Sequence, residues 1–141
     1  MSGAAMPSVK DITVDNLSNF HDARGTLIAV EFNEHPPFPV VRLFYIRDVP
    51  PNTVRGEHAH RLCRQYMICQ AGRLLIEAAD ATQTRQIELH PGQAVFIERG
   101  IFTSETYLDR DTVLLVLCDR PYEKDDYIRT RAEFLETYSR R

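Results

Sequence analysis

Lysine is almost missing from this 141-residue chain: only Lys10 and Lys124 occur, so 15 of the 17 basic side chains are arginine (17 less 2). Positive charge carried that way favours fixed, forked contacts to anions over mobile point charges. Basic residues are also outnumbered by 20 acidic ones, giving a net charge of -3 and a pI near 5.9. That balance gives no generic attraction to nucleic acid or to an anionic membrane surface. Cysteine is scarce: Cys63, Cys69 and Cys118 make an odd count with no CxxC spacing. This excludes a disulfide framework and reads as reduced, buried thiols in a cytoplasmic protein. The N-terminus has no charged start followed by an apolar run, so no signal peptide is expected. The longest apolar stretch, residues 112–118, is far too short to span a bilayer and fits a buried strand. Internal repeats, low-complexity tracts and linker composition are absent as well. The expectation is a frayed N-terminus over residues 1–10 and one domain over 11–141.

What the chain has in quantity is short β signals. Residues 40–49 are rich in β-branched and aromatic side chains, with Arg42, Phe44 and Ile46 on one face and Leu43, Tyr45 and Arg47 on the other. Further strands are predicted over 26–32, around 58–60, and over 64–70, 73–79, 84–89, 94–97 and 112–118, with 11–18 as a first strand or extended arm. Turns are expected at Ala71-Gly72, 80–83, Pro91-Gly92 and 108–111. Short strands at nearly regular spacing argue for an antiparallel sandwich or barrel. The one helical signal comes last, where Ala132, Leu135 and Tyr138, with Phe134 beside them, recur at helical spacing within 130–141.

The stretch Arg55-Gly56-Glu57-His58-Ala59-His60 carries the chemistry. On a strand, His58 and His60 share a face. Two imidazoles on one wall suit metal ligation or proton transfer near neutral pH. The metal reading can be tested by spacing. A His-x-His strand with a Pro-Gly turn about thirty residues on resembles the cupin superfamily. In the usual cupin first motif, Gly56, His58, His60 and Gly72 fall in place, but the glutamate position holds Gln65. In the second motif Gly92 and Gly100 fit, but Glu98 stands for the proline and Thr103 for the histidine. Two of the four usual ligands are therefore replaced by residues poorly suited to a transition metal. No metal and no cofactor are expected. In the acid/base reading one imidazole takes a proton and the second orients it or passes the proton on. Without metal a developing enolate needs hydrogen-bond donors. Tyr45, Arg42 and Arg55 are long enough to supply one or to hold a phosphate.

Several segments together resemble the sugar nucleotide 3,4-ketoisomerases of the FdtA, QdtA and WxcM-like group. They are Arg42-Leu-Phe-Tyr45-Ile, Arg55-Gly-Glu-His58-Ala-His60, Gln65, Gly72, Leu114-Leu-Val-Leu117, Tyr122-x-x-x-Asp126-Tyr127-Ile128-Arg129, and the Asp22-x-Arg24-Gly25 turn. The resemblance covers roughly residues 11–135. It implies an all-β, cupin-type (jelly-roll) barrel of antiparallel strands with a short C-terminal helix. It implies an isomerase that moves the keto group of dTDP-4-keto-6-deoxyglucose, or a related nucleotide sugar, from C4 to C3 without metal, in deoxy- or amino-sugar biosynthesis. On that resemblance His58 and His60 are the proton-transfer pair, either one the base, and Tyr45 is an active-site hydroxyl. Arg42, Arg55, Gln65 and Phe102 are substrate-binding. A homodimer with exchanged N-terminal strands is implied too. One stretch departs from the family pattern, since Glu98 to Glu105 keeps the aromatic as Phe102 but has Thr103 for the histidine. A non-catalytic sugar-nucleotide-binding protein and a metal-dependent cupin enzyme are the alternative readings.

Overall fold

A computed structural model describes residues 6–139. The strands are β1 (Val14–Asn16), β2 (Ser18–Asp22), β3 (Gly25–Ala29), β4 (Arg42–Ile46), β5 (Thr53–His60), β6 (Gln65–Ala71), β7 (Leu74–Ala79), β8 (Thr84–Leu89), β9 (Gln93–Ile97), β10 (Phe102–Tyr107), β11 (Val113–Cys118) and β12 (Tyr127–Ile128). Among the described residues one α-helix, α1 (Arg131–Tyr138), follows the last strand. The strands form two five-stranded antiparallel sheets, ordered β1-β9-β6-β11-β4 and β12-β5-β10-β7-β8, and a separate β2-β3 hairpin. The expected all-β class is observed. Hydrogen bonding runs in two separate sheets and not around a closed ring.

The inner faces of the two sheets meet in one apolar cluster. Met67, Val95, Leu114 and Val116 come from the first sheet, and Leu74, Ile76, Ile87 and Tyr107 from the second. The first sheet is covered on its other face as well, where Tyr66, Ile68, Ala94 and Leu117 pack with Leu17 and Phe38. Burial on both faces explains why β6 and β11 read as continuous apolar runs without alternation.

The outer face of the second sheet carries α1. Thr130 caps the helix, its Oγ1 accepting from the Glu133 amide at 3.1 Å. Phe134 then buries itself among Ala59, Ala79, Phe102 and Ile128. The buried face of α1 is thus Phe134 with Tyr138, one turn on, while Ala132 and Leu135 face outward. The expected stripe is rotated because the strand surface beneath offers a socket for one aromatic ring and not for a broad apolar face.

Residues 1–5 of the expected frayed terminus lie outside the described residues. From Val9 onward the chain is packed: Val9 is buried, its amide donates to Asp80 Oδ2 at 2.9 Å, and Arg85 donates to the carbonyls of Val9 and Ile12. Burial works against the Asp80 carboxylate, yet the amides of Val9, Thr82 and Gln83 prevail and hold it at about 2. Three strands were not expected from the sequence: β2, β10 and the two-residue β12. β10 lies in the middle of the second sheet, between β5 and β7.

Candidate active site

β5 is not a regular strand. Gly56 and Glu57 both adopt left-handed backbone, with φ of 86° and 57°. The register with β10 slips there, His58 opposing Thr103 while Gly56 opposes Ser104. The extra residue is a β-bulge. Residues three apart on a regular strand face opposite sides, but the bulge turns Arg55 and His58 into the same cavity. Gly56 is needed for a second reason. A Cβ there would run into the carboxylate of Glu105, which lies against the glycine backbone.

The histidines are arranged by different partners. His58 Nδ1 stands 3.0 Å from the Gly56 carbonyl, so the proton is assigned to Nδ1 and the lone pair to Nε2. His60 Nδ1 lies 2.8 Å from Asp126 Oδ2, which assigns the same tautomer. The rings meet edge-on, with centroids 5.0 Å apart, and Tyr127 packs against both, edge-on to His58 at 4.9 Å and tilted to His60 at 4.5 Å. β12 brings this about by pairing Tyr127 with His60 and Ile128 with Ala59, which places Asp126 beside the imidazole. Burial, then the charge His60 would carry, holds His58 down to about 4. Burial also lowers His60, against the opposing pull of Asp126. Both rings are therefore neutral near pH 7.

His58 lines a cavity of about 300 Å³ between the sheets. His60 sits behind it, 6% exposed, with Nε2 buried and unpartnered. The cavity's polar wall is Arg55, His58 and Glu105, with Gln65 across from them. Met67, Leu114 and Val116 form an apolar floor, and Tyr127 and Arg129 lie at its edge, the Arg129 guanidinium 4.4 Å over the Tyr127 ring. One titratable wall against an apolar remainder fits a small polar ring with one reacting edge.

Glu105 was not singled out as a site residue. Thr103, Glu105 and Tyr107 alternate on β10 and all turn inward. Burial pushes the Glu105 carboxyl up to about 7, with the Thr103 hydroxyl and the Arg55 charge pulling the other way. Its Oε2 is buried without a hydrogen-bond partner. The Tyr107 hydroxyl is also driven up by burial, and then by the Glu105 charge. The available signal was a titratable residue two positions from another inward residue, on a stretch too polar to read as a strand.

Beside His60 lies a second cluster. Arg42 Nη2 and Gln65 Nε2 both donate toward Cys118 Sγ, at 3.6 and 3.7 Å. The Cys63 thiol and the Arg42 guanidinium lower Cys118, against burial, and the neighbouring Cys63 is pushed up. Among the described residues, His60, Cys63 and Asp126 bring three possible metal-donor atoms within 4.8 Å of one another. The Asp126 carboxylate there already accepts from His60 Nδ1 and from the amides of Leu62 and Cys63. These donors fit a hydrogen-bonded anchor better than a ligand set.

The structure gathers Arg55, His58 and Gln65 around the cavity, with His60 behind. Tyr45 is elsewhere. β4 turns Arg42, Phe44 and Ile46 inward, so Tyr45 is 57% exposed on the outer face, in a separate recess that it shares with Arg47 and Arg55. Phe102 is elsewhere too. It precedes inward-facing Thr103, so it points out beneath α1, where its ring lies 5.5 Å from Phe134. Arg42 stands between the rings of Phe44 and Tyr122, at 5.2 and 5.8 Å.

Residues 10–139 match the family model FdtA, described as "WxcM-like, C-terminal". The TDP-4-oxo-6-deoxy-alpha-D-glucose-3,4-oxoisomerase of Aneurinibacillus thermoaerophilus is 30% identical over 122 residues, covering 86% of this chain and 88% of that protein. A 3,4-ketoisomerase from Helicobacter canadensis superposes with a TM-score of 0.83 at 33% identity, over 90% of this chain and 96% of the other. A mutant of the 3,4-ketoisomerase QdtA from Thermoanaerobacterium thermosaccharolyticum, in complex with TDP-4-keto-6-deoxyglucose, superposes with a TM-score of 0.87 at 25% identity, over 95% and 98% of the two chains. The chain belongs to the FdtA family of WxcM-like C-terminal domains.

Proposed function

We propose that this member of the FdtA family is a TDP-4-keto-6-deoxyglucose 3,4-ketoisomerase, an isomerase of a nucleotide-linked sugar. The relative at 30% identity carries that activity in its name, and the one at 33% is named a 3,4-ketoisomerase, each matching over nearly the whole chain. The observation that carries the reading to these residues is His58, a neutral imidazole with its Nδ1 tied to the Gly56 carbonyl, on the wall of a cavity between the sheets.

The C4 ketone acidifies the proton on C3. His58 Nε2 removes it, and the electron pair moves toward C4 to give a cis-enediol. His58 then returns the proton to C4. Its depressed pKa keeps it a base at neutral pH. Tyr127 packs against both imidazoles, edge-on to His58 and tilted to His60, and the His60–Asp126 pair fixes the ring behind His58. Positioning and electrostatic stabilisation of the enediol supply most of the rate gain, because a carbon acid remains weak even beside a ketone. Arg55 lines both the inner cavity and the outer recess with Tyr45 and Arg47. It holds the diphosphate at the boundary, with the sugar inside and the nucleotide outside.

The chain works as a homodimer in which the β2-β3 hairpin packs on the partner. In support, this hairpin pairs with no other strand among the described residues, and it exposes Phe20 and Leu27, which face each other across it, at 65% and 60%. The site of action is the cytoplasm, in keeping with three unpaired cysteines. No helix among the described residues is long and apolar enough to cross a membrane.

The test is incubation with TDP-4-keto-6-deoxyglucose in deuterated buffer. A 3-keto product is expected, with deuterium on carbon. Recovery of unchanged, unlabelled sugar would rule out this activity.

A further inference from the structure

A 3,4-keto isomerisation moves two hydrogens. One passes from carbon to carbon, C3 to C4. The other passes from oxygen to oxygen, because the C3 hydroxyl becomes a ketone while the C4 ketone becomes a hydroxyl. His58 serves the carbons. The vicinal oxygens need a group that both gives and takes a proton, and a carboxyl has one oxygen for each task. The cavity wall narrows the choice. Arg55 does not release a proton, the Gln65 amide does not titrate, and Met67, Leu114 and Val116 are apolar. The Tyr127 hydroxyl engages Arg42. Tyr45, the hydroxyl expected for this task, points out of the cavity.

Glu105 remains. It is 5% exposed, it lines the same cavity as His58, and its Oε2 has no protein partner. Arg55 stands opposite it in the strand register, and Thr103, one inward position away on its own strand, stands opposite His58. The glycine at 56 leaves the space that the carboxylate fills.

We propose that Glu105 is a further catalytic residue, whose carboxyl carries the hydroxyl proton from the C3 oxygen to the C4 oxygen while His58 carries the carbon-bound proton. The inference rests on the ketoisomerase reading and deepens it. In the first half, His58 takes the C3 proton, the C3–H pair becomes the C3–C4 double bond, and the C4 carbonyl oxygen takes the proton of the Glu105 carboxyl. The products are a neutral cis-enediol, imidazolium and carboxylate. In the second half the Glu105 carboxylate removes the C3 hydroxyl proton, that O–H pair closes the C3 ketone, and C4 takes the proton from His58. Both groups return to their starting forms, and no co-reactant enters. A carboxyl held near 7 by burial is available in both forms at neutral pH. The charged or titratable groups sharing its cavity are Arg55, His58, Tyr127 and Arg129, with Tyr107 beside it on β10.

The test is the pH profile of kcat/KM on TDP-4-keto-6-deoxyglucose for the wild type and for Glu105→Gln, with TDP affinity measured in parallel. The wild-type profile is expected to fall above about pH 7, as Glu105 loses its proton. Glu105→Gln is expected to lose on the order of 10²–10⁴ in rate and to lose that alkaline limb, with TDP affinity within about threefold. A variant within about tenfold of the wild type, or one that keeps the limb, would overturn the relay while leaving the isomerase intact. If Glu105→Gln does not fold, the wild-type profile decides alone: a flat profile from about pH 6 to 8 overturns the relay. Wild-type protein that does not isomerise the sugar would overturn the underlying reading, and the relay with it.

Discussion

His60 and Asp126 are joined by a 2.8 Å contact across 66 residues of sequence, and both side chains are closed to solvent. The carboxylate also accepts from the amides of Leu62 and Cys63, at 2.6 and 3.3 Å. It therefore sets the tautomer of the second histidine and ties down the chain leaving β5. Asp126→Asn keeps an acceptor for the amides but presents an NH₂ to His60 Nδ1, which drives the proton to Nε2. The expected result is a fall in kcat of about 10² or more with KM within a few-fold. Single-turnover kinetics and the imidazole nitrogen shifts check it; an unchanged kcat would separate the pair from catalysis.

His58 lines the cavity and His60 does not. His58→Asn is expected to abolish incorporation of deuterium from solvent while leaving TDP binding within a few-fold. Proton transfer by a placed imidazole contributes about 10²–10⁴, so residual exchange should lie below one per cent of the wild type. Isothermal titration gives the binding arm and mass spectrometry of the recovered sugar the exchange arm. Exchange at the wild-type rate would remove His58 as the base.

The parts of this site that could be read from the sequence are those governed by alternation. His58, His60 and Gln65 follow from period-two spacing and motif distance. The two faces of β4 were separable by the same rule, with Tyr45 opposite Phe44 and Ile46, but alternation does not say which face turns inward. That depends on the facing sheet, and it sends Tyr45 to the outer face. Arg55 stands at an odd spacing from His58, and only the bulge unites them. Gly56 hints at the bulge, whereas Glu57 at a φ of 57° leaves no signal. β10 was illegible because Thr103, Ser104, Glu105 and Thr106 show no apolar alternation: its inward residues there, Thr103 and Glu105, are polar, and Glu105 faces the cavity and not the core.

A buried carboxyl raised to about 7 binds its proton more tightly folded than unfolded, where it titrates near 4.5. The sign follows from proton uptake. Its stability contribution is fully present below about pH 4.5 and is lost as pH rises through about 7. Glu105→Gln mimics the protonated form. Wild type and variant are therefore expected to unfold alike near pH 4.5, with the variant gaining up to about 3 kcal/mol by pH 8. Urea titrations at the two pH values check this, and a variant no more stable than the wild type at pH 8 would mean that Glu105 titrates normally.

Gly56 links the bulge to that carboxylate. Its φ of 86° disfavours any side chain, and an added Cβ would meet the Glu105 carboxyl group at once. The two costs can be separated. Gly56→Ala bears both the backbone penalty, about 1–2 kcal/mol for left-handed geometry, and the collision. Gly56→Ala with Glu105→Ala removes the carboxylate and leaves only the backbone part. The double variant is therefore expected to lose less stability than the sum of the singles, by at least about 0.5 kcal/mol, whereas uncoupled sites would be additive within that margin. Additivity in a denaturant-based cycle would mean that the carboxylate does not lie against the glycine. A coupled pair would tie the bulge that aims Arg55 and His58 to the residue proposed to carry the second proton.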